Sequence, residues 1–556
     1  MTSSLHVPKT PPLNGNDSAV LDSAHLGHIH GAFGSIAHHD LEPRRTWGHK
    51  LRTLAAIVGP GLIVMVGDND AGAFGTYTQA GQNYGTSLLW TLLFMIPVLY
   101  VNQEMVLRLG AVTGVGHARL IFERFGKFWG SFSIIDLFLL NVLTLVTEFI
   151  GITMGLDVLG LSKTAGTAIA AVILMGASAT GDFRRFERFA MILVVGSLLL
   201  VPIFVLVHPP AGQLMHDFFI PHLPAGKLSD IMLMMIAIVG TTVAPWQLFF
   251  QQSYVIDKRI TPHFMKYGIA DLWLGIAIVI VGAGAMMAFS TAMFAGHSEA
   301  GHFTDAAAVA TGLVKYCGRL PAVMFAIALI DACIIGAAAV SLSTAYALGD
   351  VFSIRHSLHR KPTEAKGFYA FYFGLIALAA TLVLTPGTPL GLLTNLVQTL
   401  AGVLLPSATV FLLLLCNDRE VLGPWVNSRR TNGFTTIVIA TLVMLSVILT
   451  TAMLFPSITD DQIIGVLLAG CGLGVILTLA VKAYERHTGS VTAPLALTDH
   501  SQRDTWRMPP LTQLAPARLS LMNRVWMGVL RLYLVGAAGL LVVKLVHLAT
   551  SGGSDH

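Results

Sequence analysis

Apolar stretches of helical length recur along this chain, near residues 52–80, 86–109, 132–157, 164–180, 187–207, 230–255, 268–294, 321–350, 367–386, 388–416, 434–455 and 461–482. Crossing the hydrocarbon core as a helix takes about 20 mainly apolar residues, and each stretch is of that order. A further stretch at about 525–548 has the same character, with Arg531 and Lys544 near enough to its ends to reach the interface. The pattern predicts an all-α integral membrane protein with twelve spans and a thirteenth at the C-terminus.

Two of these spans are interrupted in the middle. The first reads "GPGLIVMVGDNDAGAFG" and loses its apolar character at Gly67–Gly72, where Asp68, Asn69 and Asp70 follow one another. A carboxylate at membrane depth costs roughly 2.5–3.5 kcal/mol on an insertion scale, so two of them need a reason to be there. The sixth span, "IMLMMIAIVGTTVAPWQLFFQQS" (Ile231–Ser253), breaks at Gly240–Pro245. Pro245 removes a helical hydrogen bond, and unwound backbone is tolerated at that depth only where protein encloses it or a cavity is lined by it. A kinked structural helix with a buried acid is the ordinary alternative for either break alone. The breaks lie five spans apart, an odd number, so the two halves run with inverted topology. Matched broken helices in inverted halves point to a transporter's midplane site.

The chain divides accordingly into a polar, His-containing tail expected to be disordered (1–50) and a ten-helix core (51–416) with repeats at about 51–207 and 230–416. Two additional membrane helices (417–482), a polar loop (483–520) and a further helix with its tail (521–556) follow. The tail holds five histidines in "HLGHIHGAFGSIAHHD" (His25–Asp40), which reads as solvated chain with incidental, at most weakly metal-binding, His. Residues 1–50 lack an apolar signal core, so the first span is expected to direct insertion.

Charge sets the orientation. Arg44, Arg45, Lys50 and Arg52 precede the first span, and the even-numbered loops carry Arg119, Arg124, Arg184, Arg185, Arg188, Lys258, Arg259, Arg355, Arg360 and Lys361. The odd loops hold little beyond Lys163, Lys227, Lys315 and Arg319. The positive-inside rule places the N-terminus in the cytoplasm, with the protein in the plasma (inner) membrane. With 12% charged residues and a net charge of +4, nucleic acid is not an expected partner; the bilayer is. The four cysteines are scattered without ligand spacing and read as apolar filler. Oligomeric state is not legible.

At the breaks, Asp68 and Asp70 offer anionic oxygens, Asn69 and Gln247 neutral ones, and the carbonyls near Thr241–Ala244 add more. This set suits a hard divalent cation such as Mg²⁺, Mn²⁺ or Ca²⁺ better than Cu⁺ or Zn²⁺. The ion is cargo, and neither a cofactor nor an enzymatic constellation is expected. Asp271 and Asp331, acids within spans, read as packing or interhelical bonds.

These same residues carry a family resemblance. Over about 52–455 the chain resembles the Nramp divalent-metal transporters, which have the LeuT-like fold of five-plus-five inverted repeats. "GPGLIVMVGDNDAGAFGTYTQAG" occupies the place of the family's first helix with its Asp-Pro-Gly-Asn motif. "RLGAVTGVGHARLI" (Arg108–Ile121), "TEFIGITMGL" (Thr147–Leu156) and "VQTLAGVLLPSATVFLLLLCNDREVLG" (Val397–Gly423) are similar to elements after the second helix and in the third and tenth helices. The resemblance implies that Asp70 is a metal ligand, that Thr241 lends a carbonyl, and that Gln398 lies near the site. It also implies that Glu148 takes part in proton movement, for which a salt bridge to a basic helix end is the structural alternative.

The departures narrow the substrate. Ala71 and Ala73 replace the family's Pro and metal-binding Asn. Ala244-Pro245-Trp246 replaces Met-Pro-His, and Gln247 replaces an Asn. The pattern is similar to the Nramp-related magnesium transporter branch. Removing a thioether at Ala244 removes discrimination against Mg²⁺, and two alanines leave room for an ion that keeps its waters. Trp246 cannot titrate, so passive or voltage-driven transport of Mg²⁺, and of Mn²⁺ with it, becomes the expectation. A proton-coupled Mn²⁺/Fe²⁺ importer and a transport-inactive sensor or scaffold are the alternatives.

Overall fold

The computed structural model describes residues 19–386 except His39, then 397, 401, 406–455, 459–487 and parts of 503–536. A short hairpin, β1 (Ile29–Gly31) paired antiparallel with β2 (Gly34–Ile36), precedes the helices. The first interrupted span is α1 (Trp47–Ile57), α2 (Pro60–Val66) and α3 (Ala71–Tyr84). Next come α4 (Trp90–Thr113), α5 (His117–Phe125), α6 (Lys127–Val158), α7 (Lys163–Ser178), α8 (Phe183–Ser197), α9 (Leu200–Val207) and α10 (Ala211–Phe219). The second interrupted span is α11 (Leu228–Thr242) and α12 (Pro245–Asp257), followed by α13 (Met265–Phe294), α14 (Ala306–Cys317), α15 (Arg319–Phe352) and α16 (Lys366–Leu384). The described C-terminal part holds α17 (Pro406–Cys416), α18 (Arg419–Leu422), α19 (Arg429–Leu454) and α20 (Asp460–His487). Among the described residues nine helical segments are long and apolar enough to cross a membrane, ten when the bent pair α1–α2 is counted as one span.

Both breaks fall where the residues require them. Backbone helicity stops at Gly67 and resumes after Asp70, and α12 restarts with Pro245 at its first position, where a missing N–H costs nothing. The first span also contains a second interruption that the hydrophobic pattern does not reveal, a 54° bend between α1 and α2. Its cause is local. Gly59 sits at φ 155°, open to glycine alone, and Pro60 begins the next helix.

The core is built around the interrupted spans. α2 and α3 pack on α13, α12 packs on α4 and α15, α3 meets α11, and α6 lies along α15. Outside this bundle, Ile236 of α11 packs with Ile448 of α19 and Ile463 of α20. α20 is largely uncovered by protein, as a lipid-facing helix should be. Of the thirteenth stretch, residues 525–533, 535 and 536 are helical, and the others lie outside the described residues.

The N-terminal segment corrects one expectation. Residues 19–38 are not a solvated tail: they form the hairpin and a turn at Ser23–His25, and both lie against the bundle. The segment's histidines are not all incidental. His25 is buried, with Nε2 2.9 Å from the His356 carbonyl oxygen. Its polarity misled because the partners of these polar groups are α8 and loops 150 or more residues away.

Candidate functional site

Asp70 is the N-cap of α3. Its backbone is extended, and Oδ1 accepts from the Ala73 N–H at 2.9 Å, a capping role for which Asp is well suited. Asp68, 1% exposed, accepts at Oδ1 from the Gln247 side-chain amide, while Oδ2 has no hydrogen-bond partner among the described residues. Gln247 is in turn fixed from behind, its Oε1 accepting from Gln103 Nε2 at 3.1 Å. The amide therefore bridges α4 and the first break instead of aiming its oxygen at an ion.

Asn69 turns its Nδ2 toward α13, where it faces the Val279 carbonyl at 3.5 Å and lies 2.5 Å from where a Cβ on Gly282 would sit, while its Oδ1 is buried without a partner among the described residues. Thr241 stays close, its hydroxyl 3.6 Å from where a Gly72 Cβ would be. Ala244 is the half-buried residue preceding α12, in extended backbone. The carbonyls of Gly240, Thr241, Thr242 and Val243 at the end of α11 have no backbone partner among the described residues. Helix C-terminal carbonyls of this kind carry partial negative charge and favour a cation. Gln398 lies outside the described residues.

Glu148 comes to the same place from α6. Oε2 accepts from the Ala71 N–H at 3.3 Å, and the carboxyl lies against the Asp70 carboxyl and the Cys333 thiol of α15. No basic side chain pairs with it among the described residues, so the salt-bridge alternative does not hold. Trp246, 1% exposed, packs its ring against Gly67 and edge-on to Phe250 at 6.2 Å. It fills space at the break where a titratable ring is lacking. Met65, the sulfur nearest in sequence, lies against Gly275 of α13. Cys333 is the sulfur that sequence reading missed, because α15 brings it in from far along the chain. Among the described residues no three His, Cys, Asp or Glu side chains converge as metal ligands. Beside the two carboxylates of the first break, the donors to hand are neutral oxygens.

Asp271, expected to serve packing or interhelical bonds, makes such bonds: from α13 it caps α2, accepting from the N–H groups of Gly59 (3.0 Å), Gly61 (2.7 Å) and Leu62 (3.3 Å). Below the site, α12 presents Gln247, Gln251, Tyr254 and Lys258 at spacings of four, three and four, one helical face. All four are buried, and the Gln251 amide and Tyr254 hydroxyl lack partners among the described residues. The spacing in "QLFFQQSYVIDK" (Gln247–Lys258) was the available signal for this polar stripe.

The fold and these paired breaks are those of a membrane transporter rather than an enzyme. Residues 61–452 match the family model described as natural resistance-associated macrophage protein-like, or Nramp, and the chain belongs to that family. A Ralstonia nicotianae protein named divalent metal cation transporter MntH is 27% identical over 69% of this chain and 87% of its own. A protein of the same name from Aeromonas hydrophila is 26% identical over 72% and 96%. A Dictyostelium discoideum Nramp 2 homolog is 25% identical over 68% of this chain, which spans only 60% of that longer relative. A crystal structure of an Eremococcus coleocola manganese transporter superposes with a TM-score of 0.61 at 18% identity, over 78% of this chain and 96% of that one.

Proposed function

We propose that this member of a family of divalent metal cation transporters carries Mg²⁺, and Mn²⁺ with it, by alternating access across the plasma membrane, its N-terminus in the cytoplasm. The observation that carries the reading is the donor set at the two breaks: the carboxylates of Asp68 and Asp70 at the first, and at the second the carbonyls of Gly240–Val243, which have no backbone partner among the described residues, with Ala244 where a thioether would favour softer metals. With few charged ligands to hand, the ion retains water, which suits Mg²⁺. Trp246 provides no proton route on α12, so the membrane potential is the natural driving force, worth about 2.3 kcal/mol per charge at 100 mV.

A second reading, proton-linked uptake of Mn²⁺ or Fe²⁺, draws support from the Asp70–Glu148 contact. Two carboxyls held together share a proton that an arriving cation would displace. The deciding experiment is uptake of Mg²⁺ and of Mn²⁺ into proteoliposomes with lumenal pH followed in parallel. Saturable Mg²⁺ uptake without lumenal acidification is expected. Acidification that tracks influx and disappears in Glu148→Gln would establish the second reading, and no uptake of either ion would refute both.

A further inference from the structure

The folded N-terminal segment sits over the end of the bundle where the α12 stripe emerges, and it is tied there by partners from both halves of the chain. From the first half, Arg184 donates to the carbonyls of Gly31 (3.0 Å) and Gly34 (3.1 Å), and Arg188 donates to that of Ala32 at 3.0 Å. From the second half, Arg259 donates to the carbonyls of Ala24 (2.9 and 2.7 Å) and His28 (2.9 Å). Arg360 pairs with Asp22 at 2.6 Å, and Asp22 also accepts from the His356 N–H at 2.9 Å.

The segment also reaches the hinge of the first span through a buried relay. The Ala32 N–H donates to Glu187 Oε2 at 2.6 Å; Glu187 Oε1 pairs with Lys258 Nζ at 2.6 Å; and Nζ donates to the Val58 carbonyl at 2.7 Å. Val58 and Gly59 are the bend between α1 and α2. The hairpin lies flush on α1: a Cβ on Gly31 would sit 2.0 Å from the Ala56 carbonyl oxygen. So one segment joins α1, α8, the end of α12 and the α15–α16 loop, and it covers Lys258, the last residue of the polar stripe.

We propose that residues 19–38 are a latch that holds the cytoplasmic gate closed, and that their release accompanies opening of α2 and the α12 stripe toward that side. In transporters with inverted repeats, access alternates by movement of one part of the bundle against the other. A clamp bridging both halves at one face must therefore yield when that face opens. The inference rests on the alternating-access reading and on the cytoplasmic orientation, but its test requires no transported ion.

The test is amide hydrogen exchange on the full chain in lipid nanodiscs without added metal. It follows peptides from 19–38 and from 53–66 in wild type, Gly31→Ala and Arg259→Gln. The first variant lifts the hairpin off α1 by contact alone; the second removes donors to two carbonyls and leaves Glu187 and Lys258 intact. Loss of such charge-assisted bonds is expected to raise exchange about tenfold in 19–38 and, in step, in 53–66. Faster exchange confined to 19–38 would show an ornament on a gate that closes without it, and no change in either segment would show that these contacts hold nothing. Should one variant fail to fold, the other decides, since they act through different contacts. Failure of ion uptake in the preceding experiment would leave these outcomes unaffected.

Discussion

Lys258 and Glu187 form an ion pair at 2.6 Å in which neither side chain is exposed. Glu187→Gln would leave the lysine with the Val58 carbonyl and, for counter-charge, only the Asp271 carboxylate nearby, and a glutamine that keeps the Ala32 N–H as donor must turn its own amide protons toward the ammonium. Removing one partner of a buried pair costs about 3–5 kcal/mol, because the surviving charge stays desolvated, whereas replacing both by apolar side chains of similar volume is often neutral. We expect Glu187→Gln to destabilise by about that amount and the double variant Glu187→Leu/Lys258→Met to recover most of it. The assay is a double-mutant cycle by reversible denaturant titration in mixed micelles, including Lys258→Met alone. A coupling energy under about 1 kcal/mol would refute the reasoning, since two groups that desolvate one another cannot behave independently.

Three other outcomes follow from the site and the latch. Asp70→Asn keeps an acceptor for the Ala73 N–H and so preserves the cap, but it removes the charge; divalent uptake should fall to background while size-exclusion behaviour stays that of wild type. Ala244→Met should shift competition toward Mn²⁺ or Cd²⁺ over Mg²⁺ by no more than about tenfold, roughly 1.4 kcal/mol, and an unchanged preference would mean that Ala244 does not face the ion. Burial opposes charge on His356, yet the Asp350 carboxylate at 3.0 Å, the Ile354 carbonyl and Asp22 hold its imidazole up at about 9. A raised histidine contributes stability that is complete below about 6.5 and lost as pH rises through about 9, so protection of residues 19–38 against exchange should weaken across that window and do so less in His356→Gln.

The sequence by itself determined the membrane class, the placement of most spans and the two breaks that matter. These are properties of local composition: an apolar run long enough to span, and acids, glycines or a proline that an apolar run cannot absorb without a purpose. Asp70 at the start of a helix, Ala244 beside Pro245 and Trp246 where a titratable ring is absent were all legible residue by residue. Only the tertiary structure decided which way those side chains turn. Gln247 looked like a ligand until Asp68 and Gln103, 179 and 144 residues away, claimed both ends of its amide. Asn69 belongs to α13, and Cys333 reaches Glu148 only because α6 and α15 lie together. The N-terminal segment shows the same division most clearly. Its backbone carbonyls and Asp22 read as solvated chain, because the arginines that bind them lie on α8 and on loops up to 338 residues distant. Hydrophobic periodicity reports the surface a helix turns toward lipid or core. It is silent on polar groups whose partners are brought to them by the packing of other helices.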